Sequence, residues 1–152
     1  MRELKLVDAA PDNTDLARLI KKLDEDLLQR YPADEIFGVD FDDPNINEVA
    51  FIIAYSGEIP VGCGAIRPID DDSTELKRFF VEREYRNKGI AKQILSALEA
   101  KAKGLGFNCI RLEAGTKQPE ALSFYIKHGY YEIDKFGEYI ECESSLCYEK
   151  RI

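Results

Sequence analysis

The chain has 152 residues, 45% of them apolar and 33% charged, with 21 Lys and Arg against 29 Asp and Glu for a formal charge of −8. That size and mix predict one domain, 1–152, able to bury a core, and they exclude wholesale disorder. The acid excess argues against a general nucleic-acid binder, no apolar run reaches the roughly 18 residues of a membrane helix, and the first residues lack the apolar stretch of a secretion signal. A cytoplasmic protein with neither nucleic acid nor membrane as partner is therefore expected.

Glu3 to Val7 alternates and predicts a first strand. Asp12, Asn13 or Thr14 can cap a helix running to about Arg30, in which Leu16, Leu19, Ile20, Leu23, Leu27 and Leu28 share one face. Residues 31–48 mix aromatics, acids and breakers and read as a short helix or a long functional loop. Val49 to Tyr55 and Pro60 to Arg67, joined by Ser56-Gly57-Glu58, predict an antiparallel hairpin, and Thr74 to Val81 adds a third strand to make a meander. From Gly89 the period becomes helical, with Ile90, Ile94, Leu98 and Ala102 on one ridge until Gly104 stops it. A strand over Cys109 to Glu113, a helix from Pro119 to about His128, and strands near 130–136 and 146–150 complete the chain. Cys63, Cys109, Cys142 and Cys147 form no CxxC pair, and His128 is the one histidine, so free thiols, a reducing compartment and no metal are expected.

Charge is unevenly placed. Residues 77–92 carry Lys77, Arg78, Arg83, Arg86, Lys88 and Lys92 against Glu82 and Glu84, so this stretch holds +4 and the remainder of the chain −12. Inside it, Arg86-Asn87-Lys88-Gly89-Ile90-Ala91 lies between a strand and an amphipathic helix. The first amides of such a helix have no intrahelical acceptor, and with the helix dipole they suit a phosphate or diphosphate. Gly89 lets oxygens approach the backbone and Ala91 leaves the turn uncrowded. A helix start that merely happens to be basic is the plain alternative on spacing alone. Neither a GxxxxGK[ST] loop nor a GxGxxG fingerprint is present, and Gly104-Leu105-Gly106 follows a helix, the polarity of a stop signal.

The run Arg86 to Ala91 resembles the (Arg/Gln)-x-x-Gly-x-(Gly/Ala) signature of the GCN5-related N-acetyltransferases. Phe79-Phe80-Val81 before it, and Leu112-Glu113 with Ala121-Leu122-Ser123-Phe124-Tyr125-Ile126-Lys127-His128-Gly129-Tyr130 after it, resemble that family's flanking strand and second motif. The likeness covers about residues 49–133 well and the ends weakly, and Gln118 stands where the family often has Asn. It implies an α/β fold of mixed, α+β-like kind, a central twisted and mostly antiparallel sheet of six to seven strands flanked by helices. It also implies acetyl-coenzyme A as co-substrate, held by Phe79, Phe80, Val81, Arg86, Asn87, Lys88, Gly89, Ile90, Ala91, Lys92, Gln118 and Phe124.

Acetyl transfer from a thioester to an amine requires a neutral amine, a donor for the oxyanion and a proton for the leaving thiolate. In the resembling family a strand bulge exposes a backbone N–H for the oxyanion, which points to Phe80 or Val81, and the same stretch pairs with the pantetheine arm as a strand would. Tyr125 matches the family's general acid; packing against the sheet is the plainer role for such an aromatic. Glu75, placed at the start of the central strand with the parity of residues 77 and 79, is the candidate base, with Glu113 second; an ordinary surface ion pair with Arg67 or Arg78 is the alternative. His128, at a helix C-terminus, is expected to be cationic rather than catalytic. Asp24, Glu25, Asp26, Asp34, Glu35, Asp40, Asp42, Asp43 and Glu48, opposed by Arg30, form an acidic stretch that either welcomes a cationic amine or is a solvated surface, with Tyr31, Phe37 and Phe41 as an apolar wall. The expected acceptor is a primary amine of a small molecule or peptide, and a homodimer is possible. The rival reading is a binding module that senses coenzyme A without turnover.

Overall fold

The computed structural model describes residues 3–152; Met1 and Arg2 of the expected 1–152 domain lie outside the described residues. Its strands are β1 (Leu4–Ala9), β2 (Ala50–Ser56), β3 (Ile59–Pro68), β4 (Ser73–Val81), β5 (Cys109–Gly115), β6 (Tyr131–Ile133) and β7 (Ser145–Arg151). The helices are α1 (Thr14–Leu28), α2 (Ile90–Gly104) and α3 (Pro119–Lys127). All seven strands join one sheet in the order β1-β2-β3-β4-β5-β7-β6, antiparallel throughout except between β4 and β5. The fold class expected from the resemblance is the one observed. Residues 31–48 form neither a full helix nor open loop but two 3₁₀ turns, Ala33–Glu35 and Ile46–Glu48. No helix among the described residues is long and apolar enough to cross a membrane.

Both faces of the sheet are covered, which explains why β2 reads as a nearly unbroken apolar run rather than an alternating one. Phe51 and Ile53 face α1, where Leu16, Leu19 and Leu23 meet them. Ile52 and Ala54 face α2 and pack with Ile90, Ile94, Leu95 and Leu98. Asn13 caps α1, its side-chain oxygen accepting from the Asp15 and Leu16 amides at 2.9 and 3.0 Å. The leucines at three- and four-residue spacing then fall on the sheet side.

The central strand breaks the alternation. Opposite β4, Cys63 pairs with Phe80 but Ala65 with Lys77, so β4 carries one extra residue between these pairs. Arg78 lies there at φ 52°, a left-handed conformation rare for a side chain of its kind. The consequence is visible in the packing: Leu76 belongs to the α2 side and Phe80, four residues on, to the α1 side. Phe79 likewise packs on the α2 side, so Glu75 and Phe79 do not share a face despite their common parity. The parity argument for Glu75 fails at this bulge.

Candidate active site

β4 and β5 are in register over three residues, Ser73, Thr74 and Glu75 against Cys109, Ile110 and Arg111, and then separate. The last six residues of β4 therefore have no neighbour on that side, and the gap between the strands opens into a cleft of about 610 Å³. Its walls are the C-terminal end of α1, the free half of β4, the first turn of α2, the end of β5, and α3.

At one end lies the basic loop. Asn87 at φ 62° and Gly89 at φ 82° turn the chain into α2, and the amides of Asn87 to Lys92 have no main-chain acceptor outside the helix among the described residues. The first main-chain bond into α2 runs from Gln93 N–H to Gly89 C=O at 3.2 Å, and no side chain caps this end among the described residues. A Cβ on Gly89 would meet no protein atom within 4 Å, so the space above the amides is open. These are the properties of an anion cradle: unpaired donors, the positive end of a helix of 15 residues, and room for oxygen atoms. A diphosphate-bearing co-substrate fits it.

The side chains of this loop divide. Lys92 lines the cleft, while Lys88 lies over the Tyr85 ring at 5.5 Å. Arg86 also lines the cleft but is tied down: its Nε donates to the Val81 carbonyl at 2.8 Å and its Nη2 to Asp26 at 3.0 Å, over the Phe80 ring. It ties the loop to β4 and α1. Gln118, at the N-terminus of α3, and Phe124 both line the cleft, and the Phe124 and Phe79 rings stack at 5.9 Å.

In mid-cleft Tyr125 projects from α3 against Phe79 and Phe124. Burial, with a smaller contribution from the Glu113 charge, holds its phenol well above the ordinary range, and its hydroxyl has no hydrogen-bond partner among the described residues. His128 packs on Phe124 at 4.5 Å, and burial together with Lys127 and Lys92 pushes its imidazole below its usual value. The cationic histidine expected from helix position is thus reversed by its neighbours.

Glu75 does not line the cleft. It is 2% exposed and its carboxylate is occupied, accepting from Arg67 Nη2 at 2.9 Å and from the Tyr139 hydroxyl, with Lys77 Nζ at 3.7 Å. Glu113 does line it. One of its oxygens accepts from the Ser145 hydroxyl at 2.6 Å and the other has no partner among the described residues. Burial raises its carboxyl above the usual range, opposed in part by Ser145 and by the charge of Lys77. Sequence reasoning missed Tyr139 altogether, since it sits in an irregular stretch, Gly137–Tyr139, that carries no periodic signal.

The acidic stretch does not converge on the cleft, where only Asp26 and Glu35 of its members are found. Asp24 accepts from both terminal nitrogens of Arg78, at 2.9 and 2.7 Å, Asp26 pairs with Arg83 and Arg86, and Asp40 and Asp43 accept from nearby amides of their own loop. Tyr31 and Phe37 line the wall as expected, whereas Phe41 stacks on Phe51 at 5.5 Å and anchors the loop to the core.

The sheet is thus splayed beside a bulged central strand, with an amide cradle at one mouth of the gap. Comparison with known proteins gives the class. Residues 13–130 match the model of the acetyltransferase (GNAT) family, and the chain belongs to it. It is 32% identical over 151 residues to the "IAA acetyltransferase" of Azospirillum brasilense, covering 98% of this chain and 94% of that protein. Among solved structures it superposes on a Klebsiella pneumoniae protein described as an acyl-CoA N-acyltransferase, with TM-score 0.82, 27% identity and 97% of both chains covered. It shares its fold with the PaiA N-acetyltransferase of Thermoplasma acidophilum in complex with coenzyme A, at TM-score 0.75 and 21% identity over 99% of both chains. The protein is an acyltransferase with acetyl-coenzyme A as its co-substrate.

Proposed function

We propose that the chain, acting as one catalytic domain, transfers the acetyl group of acetyl-coenzyme A to a primary amine that enters the cleft from the side of α1 and the Ala33–Glu35 turn. The observation that carries this reading is the placement of an unpaired amide cradle, a bulged strand, a buried phenol and a carboxylate with a free oxygen along one cleft. The diphosphate lies on the amides of Asn87 to Lys92, and the pantetheine arm lies along the unpaired half of β4 beside Phe79, Phe80 and Val81, with Gln118 and Phe124 opposite. The arm would complete the sheet where β5 has turned away.

Glu113 is the base in this reading. An ammonium entering the cleft gives one proton to the free oxygen of Glu113, and the neutral nitrogen attacks the thioester carbon. A carboxyl raised by burial is a better proton acceptor near neutral pH than an ordinary one. The developing oxyanion takes a main-chain N–H at the bulge; the extra residue at Arg78 makes Phe79 or Phe80 the donor nearest to it, one position earlier than the expected pair Phe80 and Val81. The C–S bond breaks as the tetrahedral centre collapses and Tyr125 gives its proton to the departing sulfur; the extra proton on the new amide nitrogen passes by way of solvent to restore Tyr125, and Glu113 releases the proton it took, one proton leaving per turnover. Because Tyr125 is held above the ordinary phenol range, it keeps that proton throughout the working pH range.

The test is an assay of a panel of primary amines with acetyl-coenzyme A, following free thiol, on wild type and Tyr125→Phe. The reading expects amine-dependent thiol release that falls by about 10²–10⁴-fold in the variant, with coenzyme A affinity little changed. Coenzyme A binding without amine-dependent release from any member of the panel would favour the sensing module instead.

A further inference from the structure

Where β4 and β5 part, two opposite charges face each other. The last residues in register are Glu75 and Arg111; Lys77 and Glu113 each lie two residues further along, on the α1 face of their strands. Both line the cleft. The Lys77 ammonium is 4% exposed and donates one hydrogen bond, to the Tyr139 hydroxyl at 2.8 Å; its nearest carboxylate, Glu75, is at 3.7 Å, and it forms no ion pair with Glu113 among the described residues. An ammonium has three N–H donors, so with one on Tyr139 and Glu75 within ion-pair reach at least one remains for a ligand. Glu113 has one free oxygen on the other side of the gap. The four cleft arginines are differently placed: both terminal nitrogens of Arg78 are held by Asp24, its Nε alone lacking a partner, Arg30 is held by Glu120 and the Lys117 carbonyl, and Arg83 and Arg86 by Asp26.

Glu113 has no ion-pair partner among the described residues, and Lys77 shares the Glu75 carboxylate with Arg67, so each buried charge is incompletely met, which is costly unless something pairs it. A molecule carrying both charges would do so, its nitrogen toward Glu113 and its acid toward Lys77. We infer that the acceptor is an amine that also bears a carboxylate a few bonds from its nitrogen, as free amino acids do, and that Lys77 is the residue that selects for that carboxylate. A single ammonium, rather than a guanidinium fork or a cluster of cations, suits a monoanion. Ile36 and Phe37, on the same wall, leave an apolar surface for the rest of the acceptor. Burial pushes the Lys77 ammonium below the ordinary lysine range against the pull of Glu75, and an arriving carboxylate would restore its charged form. Peptide N-termini, which lack a carboxylate near the amine, would be poor acceptors.

This inference rests on the proposed function and is tested apart from it with matched acceptors. The common protein amino acids are assayed beside their decarboxylated amines and their carboxamides, for example leucine, isopentylamine and leucinamide, on wild type and Lys77→Met. For wild type, kcat/KM for at least one amino acid should exceed that of both its neutral-ended partners by about 10–100-fold, the worth of a charge-assisted hydrogen bond. In Lys77→Met that advantage should shrink to within about threefold, with the loss mainly in KM. The wild-type comparison stands even if the variant does not fold. Equal or better turnover of amines and carboxamides by wild type overturns the inference alone. An amino-acid preference that survives in folded Lys77→Met overturns the role of Lys77. Absence of transfer to every amine, with coenzyme A still bound, overturns the proposed function and this inference with it.

Discussion

Replacing Glu113 by Gln should change activity and stability in opposite directions. The amide is isosteric and can still accept from the Ser145 hydroxyl, now 2.6 Å from the carboxylate, so the local packing survives. What is lost is proton acceptance, and general-base catalysis is worth about 10²–10⁴-fold, or about 2.7–5.5 kcal/mol of barrier. Stability should rise. A carboxyl raised in the folded chain favours folding in its protonated form; that contribution is full below the unfolded pKa and lost as pH climbs through the folded one. At pH 7.5, well above the ordinary glutamate range, wild type has lost part of that contribution, whereas Gln has none to lose. Steady-state kinetics from pH 5 to 9 and thermal melts at pH 7.5 read both effects. Wild type should show an acid limb in kcat/KM above the ordinary glutamate range, and the variant should lack it and melt higher. Glu75→Gln is the contrast: it removes the charge partner of Arg67 and Lys77 in a buried network, at about 3–5 kcal/mol, and should lower the melting midpoint by about 6–20 °C. A Glu113→Gln enzyme within threefold of wild type and with the same pH profile would refute the assignment.

Gly89→Ala should cost about 1–2 kcal/mol from the φ of +82° alone, because the added Cβ meets no protein atom, yet weaken coenzyme A binding at least tenfold by calorimetry; an unchanged affinity would show the diphosphate lies elsewhere. Gly115→Ala places a Cβ 1.7 Å from the Tyr31 hydroxyl, which accepts from the Lys117 amide at 3.0 Å, so chemical denaturation should show a loss of about 2–4 kcal/mol from overpacking and the broken hydrogen bond. A loss below 1 kcal/mol would mean that Tyr31 does not seat on Gly115. Asp24→Ala leaves the buried guanidinium of Arg78 without its carboxylate and should destabilise the bulge, seen as a lower melting midpoint and a reduced kcat with little change in coenzyme A affinity.

Much of this architecture was readable from residue order. Leucines at helical spacing after Asn13, the apolar runs around Gly57, and the change of period at Gly89 each act locally, and the structure places α1, the β2–β3 hairpin and α2 there. The turn from β4 into α2 was readable for the same reason, since a glycine between a strand and a helix is a short-range signal. The side of β4 that Glu75 occupies was not. Counting alternate residues along β4 groups Glu75 with Phe79, and a bulge marked by no glycine, with arginine in the left-handed position, reverses the count. Long-range pairings were equally hidden: Tyr139 reaches Glu75 across 64 positions and Tyr31 reaches Lys117 across 86, from segments without periodicity. The sequence left the acidic stretch open between an acceptor site and a solvated surface, because composition records charge but not which arginine each acid meets.

The most direct test is a crystal structure with coenzyme A bound. The account predicts diphosphate oxygens about 2.7–3.2 Å from main-chain amides between Asn87 and Lys92, the thiol beside Tyr125, and the Glu113 carboxylate facing the sulfur across the gap between β4 and β5. A diphosphate held away from those amides, or a thiol on the far side of β4 from Glu113, would contradict it.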